Sequence, residues 1–113
     1  MTVIEPASAA VVRETALDIA CDHPAFAGHF PGAPLLPGAA LLCEVLEAAL
    51  AEPHLAARLG ATPRVAAAKF LAPVRPGAHL TVRLIESPRQ LRFEVREGER
   101  LCASGQFDLT GTP

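Results

Sequence analysis

The stretch Gly28-His29-Phe30-Pro31-Gly32-Ala33-Pro34-Leu35-Leu36-Pro37-Gly38 carries the residue types that proton transfer beside a carbonyl needs. Its prolines stiffen a turn and fix the direction in which His29 projects. The loop then feeds straight into a helix, whose first backbone N–H groups have no partner within it and sit at the positive end of its dipole. An N–H near Gly38 can hold a carbonyl oxygen as negative charge develops on it, a service worth roughly 10²–10³ in rate per donor. A histidine beside it can move a proton, worth roughly 10²–10⁴. Together the two suit chemistry on the carbon next to a thioester carbonyl.

A loop histidine is more often a surface or turn residue than a catalytic one, so the pattern around it has to carry the argument. The other three histidines have less around them. His23 precedes Pro24 in the same loop and reads as a residue that orders it. His54, after Pro53 at a helix start, and His79, at a strand start, read as solvated.

The elements that must position this loop follow from periodicity and from chain breakers. Residues 10–21 mix Val11, Val12, Leu17 and Ile19 with Arg13, Thr15 and Asp18, an imperfect alternation that predicts a strand. Asp22 to Gly38 then packs four prolines and three glycines into 17 residues, too many breakers for a regular element. Loops of that length within a small domain usually serve function. Leu41, Leu42, Val45, Leu46 and Ala49 recur at helical spacing until Glu52-Pro53. Alanines 39, 40, 48 and 51 and Leu50 make this helix apolar round most of its girth, so it belongs against something on most sides. A shorter helix, His54 to Leu59, ends at Gly60.

From Val65 the chain reads as strands: Val65 to Val74, a turn at Arg75-Pro76-Gly77, then alternating runs over Leu80–Ile85, Leu91–Arg96 and Leu101–Leu109. Glu97-Gly98-Glu99 is the turn of the last hairpin. One strand, one buried helix and an antiparallel meander predict an α+β fold, a sheet with a helix packed on it.

Composition removes several classes of function. The 113 residues are half apolar and 19% charged, enough for a core, and without repeats or linkers they read as one domain over 1–113. Twelve acids against ten bases, no basic run, five Phe and no Trp or Tyr exclude nucleic acid as the main partner. No apolar run approaches the roughly 18 residues of a membrane span. Met1 to Ala10 has neither the positive start nor the apolar centre of a signal peptide. Three widely spaced cysteines match no disulfide framework or zinc pattern. A reduced, cytoplasmic setting is therefore expected, with no metal and no cofactor.

The run HFPGAPLLPG, residues 29–38, closely resembles the active-site motif of the bacterial 3-hydroxyacyl-acyl-carrier-protein dehydratases, which have the hotdog fold. Lys69-Phe70-Leu71-Ala72-Pro73-Val74-Arg75-Pro76-Gly77 resembles that family's second familiar stretch, and the likeness runs over roughly residues 10–110. The resemblance implies a sheet wrapped around a central helix, and a homodimer or heterodimer of such subunits pairing their sheets edge to edge. It implies a 3-hydroxyacyl substrate on the phosphopantetheine arm of acyl carrier protein, entering a tunnel at the dimer interface. His29 would be the base at the α-carbon and the Gly38 N–H would hold the thioester oxygen. Phe30, Pro31, Gly32, Pro37 and Cys43 would border the substrate. Arg75, Arg89 and Arg92 are candidate contacts for an acidic carrier protein, although scattered strand arginines are usually just solvated.

The chain departs from the family at one position. The acid that helps expel the 3-hydroxyl as water, contributed by the partner subunit's helix, falls here on Cys43. Cysteine is a poor proton donor to an alkoxide and reads as a small core residue. Glu44 is turned by about 100° from that position, and Glu47 lies on nearly the same face but about 6 Å further along the axis. Either could serve if helix or substrate shifts; the competing reading makes both ordinary polar positions, set against arginines. Loss of the acid would remove up to the roughly 10²–10⁴ that such catalysis contributes. Three functions are therefore weighed: a carrier-protein-linked dehydratase with Glu44 or Glu47 as acid, a degenerate subunit that binds acyl carrier protein or pairs with an active homologue, and a hotdog thioesterase.

Overall fold

The computed structural model describes residues 11–26 and 35–110. Five strands, β1 (Val11–Asp18), β2 (Val65–Phe70), β3 (His79–Glu86), β4 (Gln90–Glu97) and β5 (Arg100–Asp108), form one antiparallel sheet in the order β1-β3-β4-β5-β2. Two helices, α1 (Gly38–Leu50) and α2 (Pro53–Leu59), come between β1 and β2 in the chain. This is the α+β arrangement that the periodicity predicts.

The sheet is two-faced because its strands alternate. Leu80, Val82, Leu84, Leu91, Phe93, Val95, Ala103 and Phe107 are buried, and the Phe93 and Phe107 rings lie 5.4 Å apart at their centroids. Helix α1 lays Leu41, Val45 and Ala49, one stripe at a spacing of four, into this core. Each large side chain so buried stabilises the fold by about 1.5–3 kcal/mol. The opposite side of the helix is different. Ala39, Cys43, Glu47 and Leu50 are exposed, so Cys43 is not the core residue its chemistry suggests. Two residues along a helix from Leu41 is a rotation of about 200°, which turns Cys43 away from the sheet.

The turns follow their sequences. Arg75-Pro76-Gly77-Ala78 closes with Ala78 N–H donating to Arg75 O, and Gly77 at φ +82° takes the left-handed position that a type II turn needs after proline. β2 is shorter than the apolar run to Val74: beyond Phe70, the Leu71 and Ala72 N–H groups both donate to Cys102 O, and Pro73 has no N–H to continue a ladder. β1 stops at Asp18 rather than continuing to Cys21, because Ile19 turns inward, N–H to Ala78 O and its own carbonyl accepting from Gly77. Within the stretch of breakers, Pro24–Phe26 makes one turn of 3-10 helix.

Gly105 is required by packing rather than by a turn. A Cβ there would collide with the Ala67 carbonyl oxygen, across the β2–β5 irregularity at Val65/Ala67, and come within 2.7 Å of the Phe93 ring. Gly105→Ala is therefore expected to lower stability by about 1–3 kcal/mol through overpacking. A urea titration checks it: the midpoint falls at unchanged slope.

The alternation Leu80, Val82, Leu84 runs one residue further than expected and carries Glu86 to the buried face. There the carboxylate accepts hydrogen bonds from Arg58 Nη1 of α2 at 2.8 Å, Arg13 Nη1 of β1 at 2.9 Å and His54 Nε2 at 2.8 Å. Arg58 is itself buried and also donates to the Ser87 and Pro88 carbonyls. His54, although exposed, thus hydrogen-bonds a buried carboxylate and is not merely solvated. His79, by contrast, is exposed and, among the described residues, pairs only with exposed Asp18.

Candidate functional site

Helix α1 begins where Pro37 can go no further. Proline at the N-cap has extended backbone (φ −60°, ψ 147°), its carbonyl accepts from Leu41 N–H, and it offers no side-chain cap. Gly38 follows as the first helical residue, so its N–H has no acceptor within the helix. The Phe70 ring of the edge strand rests against this point: a Cβ on Gly38 would stand 2.9 Å from Phe70 Cε2. Glycine is what lets the ring and the helix start come so close.

Beside this contact lies an apolar cleft of about 310 Å³, bordered by Leu35, Leu36, Leu41, Phe70, Leu71 and Val74 around Gly38. Its floor is tied to the core, since Leu36 is buried and donates its N–H to Val74 O at 2.8 Å. Phe70 and Leu71, about half exposed, form its outer lip. A cleft that ends at an uncapped helix N-terminus can take an apolar chain and present a carbonyl oxygen to that terminus.

His29, Phe30, Pro31 and Gly32 lie outside the described residues. Of the other expected site residues, Gly38 lines the cleft and Pro37 precedes it as the N-cap of α1, whereas Cys43 and Glu47 share the exposed face of that helix. Glu44 lies elsewhere on the helix and is half-buried. Among the described residues it meets no arginine; its Oε2 is 2.8 Å from His23 Nε2. Sequence alone does not place this pairing. Helical periodicity places Glu44 on a face, but nothing in the spacing of 21 residues says that His23 folds back to it. Arg75, Arg89 and Arg92 are all exposed.

Four likenesses to known proteins bear on these features. A family model described as ApeI-like, ApeI dehydratase, matches residues 7–106. The 3-hydroxyacyl-[acyl-carrier-protein] dehydratase FabZ of Chlamydia trachomatis is 35% identical over 103 residues, covering 81% of this chain and 67% of that protein. An uncharacterised protein from Erwinia carotovora subsp. atroseptica has a crystal structure that superposes with a TM-score of 0.68 at 32% identity, over 89% of this chain and 84% of that one. The dehydratase heterocomplex ApeI:P from Xenorhabdus doucetiae superposes with a TM-score of 0.66 at 23% identity, over 96% and 93%, a likeness of fold.

Proposed function

The chain belongs to the ApeI-like dehydratases, with the hotdog fold and a dehydratase-like function, and from that premise we propose how its own residues eliminate water from a 3-hydroxyacyl thioester on acyl carrier protein. The observation that carries the reading is the junction of cleft and helix: an apolar cleft with Gly38, the first residue of an uncapped α1, in its lining. The acyl chain lies along Leu36, Leu41 and Phe70, and the thioester oxygen points to the start of α1. There the helix dipole and the N–H stabilise the enolate that forms when a proton leaves the α-carbon. His29, nine residues before Gly38, takes that proton. The electron pair then expels the 3-hydroxyl, which leaves as water once an acid has protonated it. Neither a metal nor a cofactor is part of this scheme.

Glu47 is the residue assigned to that protonation. It is exposed on the same face of α1 as Cys43, one turn further along. On such a face it would serve the site of an adjoining subunit, and the subunit surface supports a dimer. All six residues of edge strand β2 are exposed, and Val65, Phe70 and Leu71 add uncovered apolar area next to its open backbone groups. A second hotdog subunit, the same chain or a homologue, would continue the sheet across this edge. Setting and partners follow from the substrate: acyl carrier protein, in the cytoplasm.

The test is the intact mass of 3-hydroxyacyl-carrier protein after incubation with this protein, with enoyl-carrier protein for the reverse direction. Loss or gain of one water, abolished by His29→Ala, is the expected result. No mass change with folded protein and several chain lengths would sink the reading; release of carrier thiol would replace it with a thioesterase. Gly38→Ala gives a finer check. The half-exposed Phe70 ring can swing aside, so thermal stability should hardly move, whereas a carbonyl displaced from the N–H should lower turnover by about 10–10²-fold.

A further inference from the structure

The one polar side-chain contact that ties the 22–26 segment to α1 among the described residues is that between His23 and Glu44. Its hydrogens can be assigned from its surroundings. The Ala25 N–H donates to His23 Nδ1 at 3.0 Å, so Nδ1 is the bare nitrogen and the proton sits on Nε2. Nε2–H therefore donates to Glu44 Oε2, 2.8 Å away. Both ring nitrogens are used: one by the backbone of its own turn, the other by the helix. The turn around the ring is closed by two backbone bonds, His23 N–H to Ala20 O and Phe26 N–H to His23 O. The Phe26 ring stands edge-on to the imidazole with centroids 6.0 Å apart. Side-chain exposures of 19% for His23 and 27% for Glu44 keep water from competing freely for either partner.

A histidine whose two nitrogens are both engaged has none free to take a proton from substrate, and a carboxylate oxygen that receives its N–H is an acceptor in that contact. Building on the dehydratase reading above, we propose that His23 is a positioning residue, that Glu44 is its hydrogen-bond acceptor rather than a proton donor, and that the pair fastens the 22–26 turn to α1. The turn ends three residues before His29 in the chain, and α1 begins at Gly38. The pair thus holds the chain leading to the base against the helix that receives the carbonyl.

The two roles for Glu44 separate cleanly in Glu44→Gln. A glutamine amide oxygen still accepts the Nε2–H but cannot supply a proton. With Glu44 as acceptor, Glu44→Gln keeps kcat within about threefold. Glu44→Ala and His23→Ala each lower it by about tenfold or more at little change in KM, and the double alanine variant is no worse than the poorer single one. Glu44→Gln as inactive as Glu44→Ala would make Glu44 the donor and overturn the proposal. Ring ¹⁵N spectra of the wild type supply a readout independent of turnover. They should show His23 with bare Nδ1 and protonated Nε2, retained in Glu44→Gln and altered in Glu44→Ala, where Ala25 amide exchange should also quicken. A protonated Nδ1 in the wild type would overturn the assignment. If the wild type dehydrates no substrate, the spectra still decide the pair while the proposed reaction falls.

Discussion

His29→Ala is expected to slow dehydration of 3-hydroxyacyl-carrier protein by about 10²–10⁴-fold, the range that a positioned proton-transfer group contributes. The loss should fall on kcat and kcat/KM alike, because the imidazole acts on the α-proton in the transition state and not on the bound acyl chain. Folding should be indifferent to the change, so the thermal midpoints of variant and wild type should agree. Initial rates measured in both directions check this, since the same group must return the proton during hydration of the enoyl thioester. A loss below about threefold, beneath what a general base contributes, would remove His29 from the mechanism. The open cleft at Gly38 would then have to be a binding site alone.

The second large effect is on stability. Burial alone would raise the Glu86 carboxyl, but hydrogen bonds from Arg58, Arg13 and His54 outweigh it and hold the group below the usual carboxylate range. The side chains of Arg58 and Glu86 are 2% and 5% exposed, so Glu86→Gln strands a buried guanidinium with no counter-charge. Breaking such a pair from one side costs about 3–5 kcal/mol, a large share of the 5–15 kcal/mol that holds a typical domain. Its pH dependence follows from linkage. A carboxyl whose folded pKa is depressed binds its proton more readily in the unfolded chain. Its stabilisation is complete above the ordinary value of 4.5 and is lost as pH falls through the lower, folded value. Urea midpoints should therefore show the largest gap between wild type and Glu86→Gln at neutral pH. The gap should narrow on the acid side of 4.5 as the wild type gives up the advantage that the variant never had. An equal gap at every pH would mean that Glu86 acts through shape and not charge.

Glu86 also shows where sequence reading stops. Its burial was within reach, since Leu80, Val82 and Leu84 alternate and Glu86 is the next residue on that face; a buried acid in turn demands a base. Which base was not within reach. Arg58, Arg13 and His54 come from α2, β1 and the start of α2, at separations of 28 to 73 residues, and no spacing links them. The same division applies at the site. Pro37-Gly38 announces an uncapped helix start because proline and glycine act on their own backbone and on that of the next residue. That Phe70 lies on that glycine depends on the edge position of β2, which only the pairing of β2 with β5 creates.

Strand periods, the Pro-Gly turn at residues 75–78 and the α+β class were legible because they express forces acting within a few residues. So was the family, because a motif of loop, proline, glycine and apolar helix is local text. The roles of the acids were not. Cys43, Glu44 and Glu47 occupy three of five consecutive helical positions, and a helix turns each about 100° from the last. Their fates depend on what the rest of the chain brings to each side. The sheet covers the Leu41–Val45–Ala49 stripe, the turn before the proline-rich loop brings His23 to Glu44, and Cys43 and Glu47 stay open. A hydrogen bond is won over a few ångströms in space, whatever the distance along the chain, so the pairing of His23 with Glu44 is decided by tertiary packing and not by spacing.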